Sequence, residues 1–319
     1  VVMISNFGQS ELLMNFACSA RARGLDTSMV LVFATDLETK ALSERIGLTT
    51  FYDATNFEQF PEDAARSYGD RMFTGMMMAK VLCVHLVNQL GYHVLFQDAD
   101  VVWYRNPLPF FWNESATSMY DFDMYFQDDG AHSVRYAPYS PNTGFYFVRN
   151  NERTQYFFST FVKMGDIILQ SGSHQSALTA VLNEQTSYRG LKVKILSRDG
   201  DDFYGTDSNF PGGYHFHRSS EYMKRMFSGE IKPYMFHMSW TKNKANKRLF
   251  FEQMGDWFVE DKCAGSTAET ILESAQKGST LVSLCCSAEP LFECHYRDKP
   301  SIKPCRSSPP IDEGHKSFW

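Results

Sequence analysis

The chain has 319 residues, 43% hydrophobic and 15% aromatic, which excludes a disordered polypeptide and leaves room for one large α/β domain with an appendage. Its formal net charge is −6, from 31 Lys and Arg against 37 Asp and Glu. That balance excludes nucleic acid and anionic membrane as main partners, because phosphate backbones are bound by clustered cations. No apolar run approaches the roughly 18 residues that span a bilayer, and none has the layout of a signal peptide. Val1–Ile4 already reads as buried strand, so the expectation is that an upstream segment has been removed.

Val1–Ser5 forms the first predicted strand, followed by a polar loop (Asn6–Gln9) and a helix with Ser10 as N-cap. Leu12, Leu13, Phe16, Ala17 and Ala20 share one face of that helix, and Gly24 stops it. Met29–Ala34 is an all-apolar strand of the kind buried on both faces of a parallel sheet. Leu37–Ile46 is a short helix and Leu48–Tyr52 a strand, and the alternation predicts an open βαβ sheet. Apolar spacing from Phe73 to Leu90 predicts a long helix ended by Gly91, with Met76, Met77 and Met78 packing the core. Further strands are predicted at Tyr92–Gln97, Met124–Gln127, Gly144–Val148, Val193–Leu196 and Tyr234–Met238. Further helices are predicted at Thr154–Leu169, His174–Leu182 and Ala245–Val259.

Five of the seven cysteines, Cys263, Cys285, Cys286, Cys294 and Cys305, fall in the last fifth of the chain, with Cys18 and Cys83 far upstream. None has zinc-ribbon spacing, so the reading is disulfides in a small extension and an oxidising, secretory compartment. The boundary is placed near Cys263, giving 1–262 and 263–319. The sequon Asn113-Glu114-Ser115 is compatible with that compartment.

Asp98 and Asp100 follow the apolar strand Val94–Phe96, at its carboxyl end, where open α/β sheets place ligands. In extended backbone their side chains share a face and Ala99 points away. Two such carboxylates repel unless a hard cation sits between them, and Mg²⁺ or Mn²⁺ bridging to a diphosphate relieves the repulsion. The same pattern recurs at Asp121-Phe122-Asp123 and Asp199-Gly200-Asp201, so spacing alone does not single out the first pair.

In order along the chain stand Phe96-Gln97-Asp98-Ala99-Asp100-Val101-Val102-Trp103, Ser140-Pro141-Asn142-Thr143-Gly144-Phe145, His174-Gln175-Ser176-Ala177-Leu178 and His237-Met238-Ser239-Trp240. With these motifs the chain, from about Val1 to about Phe258, resembles glycosyltransferase family 77, the nucleotide-diphospho-sugar transferase domain, and more distantly the glycogenin-like family 8. The resemblance implies a GT-A type single domain, a Rossmann-like, mostly parallel sheet flanked by helices. It also implies a nucleoside-diphosphate-sugar donor, a divalent metal and retention of anomeric configuration.

On that resemblance His237 completes an Asp98/Asp100/His237 metal shell, which favours Mn²⁺, with Mg²⁺ as the alternative. His215 and His217 form a reserve pair. Lys242, Lys244 or Lys247 supplies a cation to the diphosphate, with Lys242 preferred, and Lys80 places another near the donor. Asn142 and Gly144 fit a loop that admits the sugar, Asp128 or its neighbour Asp129 accepts hydrogen bonds from it, and Ala99 lines the donor beside Asp98. Ser5 and Asn6 are candidates for the nucleobase and ribose. Gln175 matches the residue beneath the anomeric carbon. The preceding position, acidic in relatives, is His174, which favours same-face attack over double displacement.

The resulting expectation is Mn²⁺-dependent transfer of galactose, xylose or arabinose from a UDP-sugar to a glycan or glycoprotein hydroxyl. It implies the Golgi lumen and a membrane anchor outside this chain. The rival readings are a metal-dependent phosphoester or diphosphate hydrolase and a catalytically silent sugar-binding domain.

Overall fold

Alternating strands and amphipathic helices build one seven-stranded sheet with both faces covered. The computed structural model describes residues 1–57, 69–112, 122–130, 133–196, 230, 232–239, 244–266, 268–276 and 280–291. Its main-sheet strands are β1 (Val2–Ser5), β2 (Leu31–Ala34), β3 (Thr49–Phe51), β4 (Val94–Gln97), β6 (Met124–Asp128), β7 (Pro141–Val148) and β8 (Val193–Leu196), in the order β3-β2-β1-β4-β7-β6-β8. β7 pairs antiparallel with both β4 and β6, whereas every other pairing in this sheet is parallel. A second sheet of two antiparallel strands, β5 (Val101–Trp103) and β9 (Met235–His237), lies beside it.

Strand periodicity divides the core. Met3, Leu95, Tyr125, Phe145 and Phe147 face one layer, while Val2, Ile4, Phe96, Phe126, Tyr146 and Val148 face the other. The second layer is closed by α4 (Arg71–Gln89), α6 (Glu152–Phe161), α7 (Gly165–Ser171) and α8 (His174–Arg189). Asp70 caps α4 by accepting from the Phe73 amide at 2.7 Å, and Met77 is buried in this layer with Met76 and Met78 packed against it, as the spacing predicts.

The first layer holds α1 (Ser10–Ala22), α2 (Leu37–Arg45), the β5–β9 sheet and α9 (Lys244–Met254), followed by α10 (Ala268–Gln276) and α11 (Leu281–Cys285). Two short helices, α3 (Ala54–Phe57) and α5 (Leu108–Trp112), complete the described set. Along α1, Glu11, Asn15 and Cys18 recur at helical spacing, and all three are claimed by the C-terminal part of the chain. Glu11 Oε1 accepts from the Gly265 amide at 2.6 Å, Asn15 Oδ1 accepts from the Phe258 amide at 2.8 Å, and Cys18 forms a disulfide with Cys286. A second disulfide joins Cys263 to Cys285, whereas Cys83 is a buried free thiol. Cys294 and Cys305 lie outside the described residues.

Four local expectations are corrected. Ser10 is the first helical residue instead of the cap, because a 3-10 turn at Phe7–Gln9 leads directly into α1. Met29 is exposed, since the second strand begins only at Leu31. The predicted helix Thr154–Leu169 is interrupted by a 3-10 turn at Val162–Met164, which separates α6 from α7. The strand predicted at Tyr234–Met238 forms, but it pairs with β5 in the small sheet and not within the parallel one.

Candidate active site

The carboxyl ends of the parallel strands β1, β2, β4, β6 and β8, with the start of reversed β7, form one edge of the main sheet, where a ligand meets backbone ends and loops. At this edge β4 ends at Gln97, and the chain turns at Ala99 and Asp100 into β5. The two acids therefore converge through a turn between two sheets, and not through strand alternation. Asp98 donates its backbone N–H to the Gly144 carbonyl at 2.8 Å, and the Asp100 carbonyl accepts from the Met238 amide at 2.9 Å. His237 ends β9 opposite Val101.

Ligand atoms of Asp98, Asp100 and His237 all lie within 4.8 Å of one another. His237 Nε2 is 3.5 Å from Asp100 Oδ1, and both side chains are buried, whereas one fifth of the Asp98 side chain is exposed. Gly144 forms the wall behind them. A Cβ there would lie 2.7 Å from Asp98 Oδ2 and 2.8 Å from His237 Nε2, so only glycine lets the backbone approach this closely; Asn142 and Gly144 belong to strand β7 and not to the loop expected.

Each carboxylate also meets a lysine. Lys80 Nζ on α4 is 2.6 Å from Asp98 Oδ1, and Lys247 Nζ on α9 pairs with Asp100 Oδ2. Burial alone would push the Asp100 carboxyl up, but the Lys247 ammonium and His237 outweigh it and hold the group well below the usual carboxylate range. Two carboxylates and one imidazole nitrogen around a common point, backed by a side-chain-free residue, fit a divalent cation.

The family model for nucleotide-diphospho-sugar transferase matches residues 27–251, which include both acids and His237. The chain belongs to this family. Among curated relatives, a UDP-galactose:fucoside alpha-3-galactosyltransferase of Dictyostelium discoideum is 24% identical over 82% of this chain and 43% of its own length. A beta-arabinofuranosyltransferase, RAY1, of Arabidopsis thaliana is 28% identical over 59% of this chain and 32% of its own length. The chain thus spans less than half the length of either relative. Among solved structures, the galactosyltransferase LgtC, crystallised with donor and acceptor sugar analogues, is 12% identical with a TM-score of 0.45, over 90% of this chain and 96% of that one.

In this family member the other candidates occupy the same edge of the sheet. Ser5 and Asn6 are buried at the end of β1, with Ser5 Oγ donating to the Asn6 carbonyl at 3.1 Å. Asp36 holds the following loop by accepting from the Phe7 amide at 2.8 Å. Asp128 and Asp129 are buried at the end of β6, and Asp128 Oδ1 accepts from the Gly130 amide at 2.8 Å. Asn142 is engaged at both ends of its amide: Oδ1 accepts from the Gly144 amide at 2.7 Å, and Nδ2 donates to Asp129 Oδ1 at 2.9 Å. It shapes the Gly144 wall from within. Gln175, in the first turn of α8, accepts from Thr143 Oγ1 at 3.2 Å, which ties that turn to β7. His174 beside it is buried, and burial together with the Lys80 ammonium holds its imidazole neutral, well below the usual histidine range.

Of the three candidate lysines, Lys247 reaches the acidic pair and Lys244 lies 3.7 Å from Glu11. Lys242, His215 and His217 lie outside the described residues, as do Asp121, Asp199 and Asp201. Asp123, the described member of a look-alike pair, is a structural anchor. It accepts from Arg153 Nε and from the Lys192 amide at 2.9 Å each, and from Asn151 Nδ2 at 2.8 Å.

Sequence reading missed two residues of the site, Gln97 and Gln127. Both are fully buried and both reach the small sheet: Gln97 Oε1 accepts from Trp103 Nε1 at 2.8 Å, and Gln127 Oε1 lies 2.9 Å from His237 Nδ1. A signal was present. Phe96-Gln97-Asp98 and Phe126-Gln127-Asp128 repeat one tripeptide at the ends of two apolar strands, and a buried amide in such a place calls for a polar partner.

Proposed function

We propose that this transferase moves a sugar from a UDP-sugar to an acceptor hydroxyl on a glycan or glycoprotein. In this reading Asp98, Asp100 and His237 hold Mn²⁺, which supplies Lewis-acid stabilisation of the diphosphate leaving group. The observation that carries it is the convergence of the three ligand groups at the ligand edge of the sheet in a chain of this family. The imidazole favours Mn²⁺ over Mg²⁺, which prefers an all-oxygen shell.

The protein's own contribution is placement and charge. Lys80 and Lys247, already beside the two carboxylates, supply positive charge where the diphosphate departs, and Lys242 follows His237 closely enough to do the same. Gly144 leaves room at the reacting centre, with Asn142 and Asp129 setting its position. Asp128 accepts hydrogen bonds from the sugar, Ala99 lines the donor, and Ser5 and Asn6 receive the nucleoside. Gln175 stabilises positive charge developing at the anomeric carbon. A neutral amide is a feeble nucleophile, and the neighbouring position carries His174 in place of the carboxylate of relatives, so in this reading retention proceeds by attack on the same face as the departing diphosphate. The galactosyl and arabinofuranosyl activities of the two relatives support a galactose or arabinose donor, with xylose the third candidate. The Cys18–Cys286 and Cys263–Cys285 disulfides support an oxidising, secretory lumen, within which the Golgi is the compartment proposed. Among the described residues no helix is long and apolar enough to cross a membrane.

The test is UDP release from UDP-galactose, UDP-xylose and UDP-arabinose with and without Mn²⁺, over glycan and protein acceptors. Acceptor-dependent release that requires Mn²⁺ and is abolished in Asp100→Ala supports the proposal. Release that is indifferent to Mn²⁺ or unchanged in Asp100→Ala sinks it, and metal-dependent release without any acceptor dependence replaces it with a hydrolase.

A further inference from the structure

Gln127 joins the main sheet to the ligand histidine. It is the penultimate residue of β6, on the face that packs against the β5–β9 sheet, with no exposed surface, and its side chain meets two residues of β9 two positions apart, Met235 and His237. Nε2 faces the Met235 sulfur at 3.7 Å, an acceptor only, so the amide nitrogen belongs on that side. Oε1 then points at His237 Nδ1 from 2.9 Å. A carbonyl oxygen accepts and cannot donate, so Nδ1 must carry the ring proton. The lone pair, or the second proton of a charged ring, is left to Nε2, the nitrogen that faces Asp100 Oδ1 at 3.5 Å and lies against Gly144.

Without this partner an imidazole is free to place its proton on Nε2, and the ring then offers a donor where the site needs an acceptor. With it, the ring plane and tautomer are set before any cation arrives, which is how a group behind a ligand histidine raises metal affinity. We infer that Gln127 is the positioning residue for His237, holding its Nε2 lone pair on the point shared with Asp98 and Asp100. This rests on the metal-site reading proposed above.

Two measurements on the purified chain decide it, neither of them turnover. One is Mn²⁺ binding followed by the EPR signal of the free ion in wild type, Asp100→Ala, Gln127→Met and Gln127→Glu. Methionine keeps the shape and removes the strong acceptor, and glutamate keeps an acceptor oxygen. The other is the His237 tautomer in metal-free protein, from long-range ¹H–¹⁵N NMR of the ring. The inference expects the Nδ1–H form in wild type, Mn²⁺ affinity lower by about 10- to 100-fold in Gln127→Met, and recovery of most of that loss in Gln127→Glu. Wild-type affinity in Gln127→Met, or an Nε2–H ring in wild type, overturns it while leaving the metal site standing. Wild type binding Mn²⁺ no better than Asp100→Ala overturns the metal reading itself. Should Gln127→Met not fold, the wild-type tautomer and the affinity of Gln127→Glu still decide, since a glutamate variant that loses Mn²⁺ binding contradicts an acceptor role.

Discussion

Asp98 and Asp100 are two residues apart in sequence, but they belong to different parts of the molecule. Asp98 hangs on the main sheet through the Gly144 carbonyl, is partly open to solvent, and pairs with Lys80 of a helix packed beneath that sheet. Asp100 enters the small sheet, is buried, shares its neighbourhood with His237 and pairs with Lys247 of α9. The site is thus a seam, and its geometry depends on how the two sheets are held together. Gln97 and Gln127 span that seam with buried amides, and Gly144 lets its two sides come within ligand distance.

The comparison predicts unequal effects on its two sides. Asp100→Ala should lower metal-dependent turnover at least about 100-fold, the scale of losing one preorganised charge-stabilising group. Asp98→Ala should do less, because water has access where Asp98 is partly exposed. Equal loss in both, measured as kcat/KM for the donor at saturating Mn²⁺, would break the distinction. Gly144→Ala pushes a methyl group against both sides at once, so it should cost about 1–3 kcal/mol of stability in urea unfolding and weaken Mn²⁺ binding. A variant with unchanged affinity would show that the seam can open without harm.

Removing the lysines should separate the sides more gently. Lys247 competes with a cation for the buried Asp100, so Lys247→Met is expected to tighten Mn²⁺ binding while raising the donor KM. Lys80→Met should change metal affinity less, because the carboxylate it neutralises is already in contact with water. EPR titration of the two variants side by side checks the order.

The smallest effect belongs to Asp123, away from the seam. Burial opposes its ionisation, yet Arg153, the Lys192 amide and Asn151 hold its carboxyl below the usual range. A depressed folded-state value means stability present above the unfolded value of about 4 and lost as the pH falls through the folded value. Asp123→Asn should therefore cost on the order of 1 kcal/mol at neutral pH and flatten the acid limb of a Tm-versus-pH curve, leaving Mn²⁺ affinity at neutral pH untouched.

Much of this was legible along the chain. Apolar runs bounded by Gly24, Gly47 and Gly91 marked the alternating strands and helices, and Asp98 and Asp100 stood out because a carboxylate pair after an apolar strand is a local pattern. What escaped notice was set by partners far off in sequence. Val101–Trp103 is too short to declare itself a strand, and it becomes one only against Met235–His237, more than 130 residues later. Glu11 and Asn15 are not among the apolar residues that mark the buried face of α1, yet Asp256, Phe258 and Gly265 bond them from the far end of the chain.

From its sequence alone, then, this protein declared a βαβ architecture, an acidic pair at a strand end and, through the order of four motifs, the family to which the matched region belongs. Periodicity and strand-end chemistry are short-range properties, and a single chain displays them openly. Only the tertiary structure decided that the two acids sit on opposite sides of a seam, that Lys247 is the described lysine beside Asp100, and that Gln127 faces His237. The last two are meetings between residues 147 and 110 positions apart, chosen by tertiary packing, and no local pattern in the chain encodes which side chains will share that space.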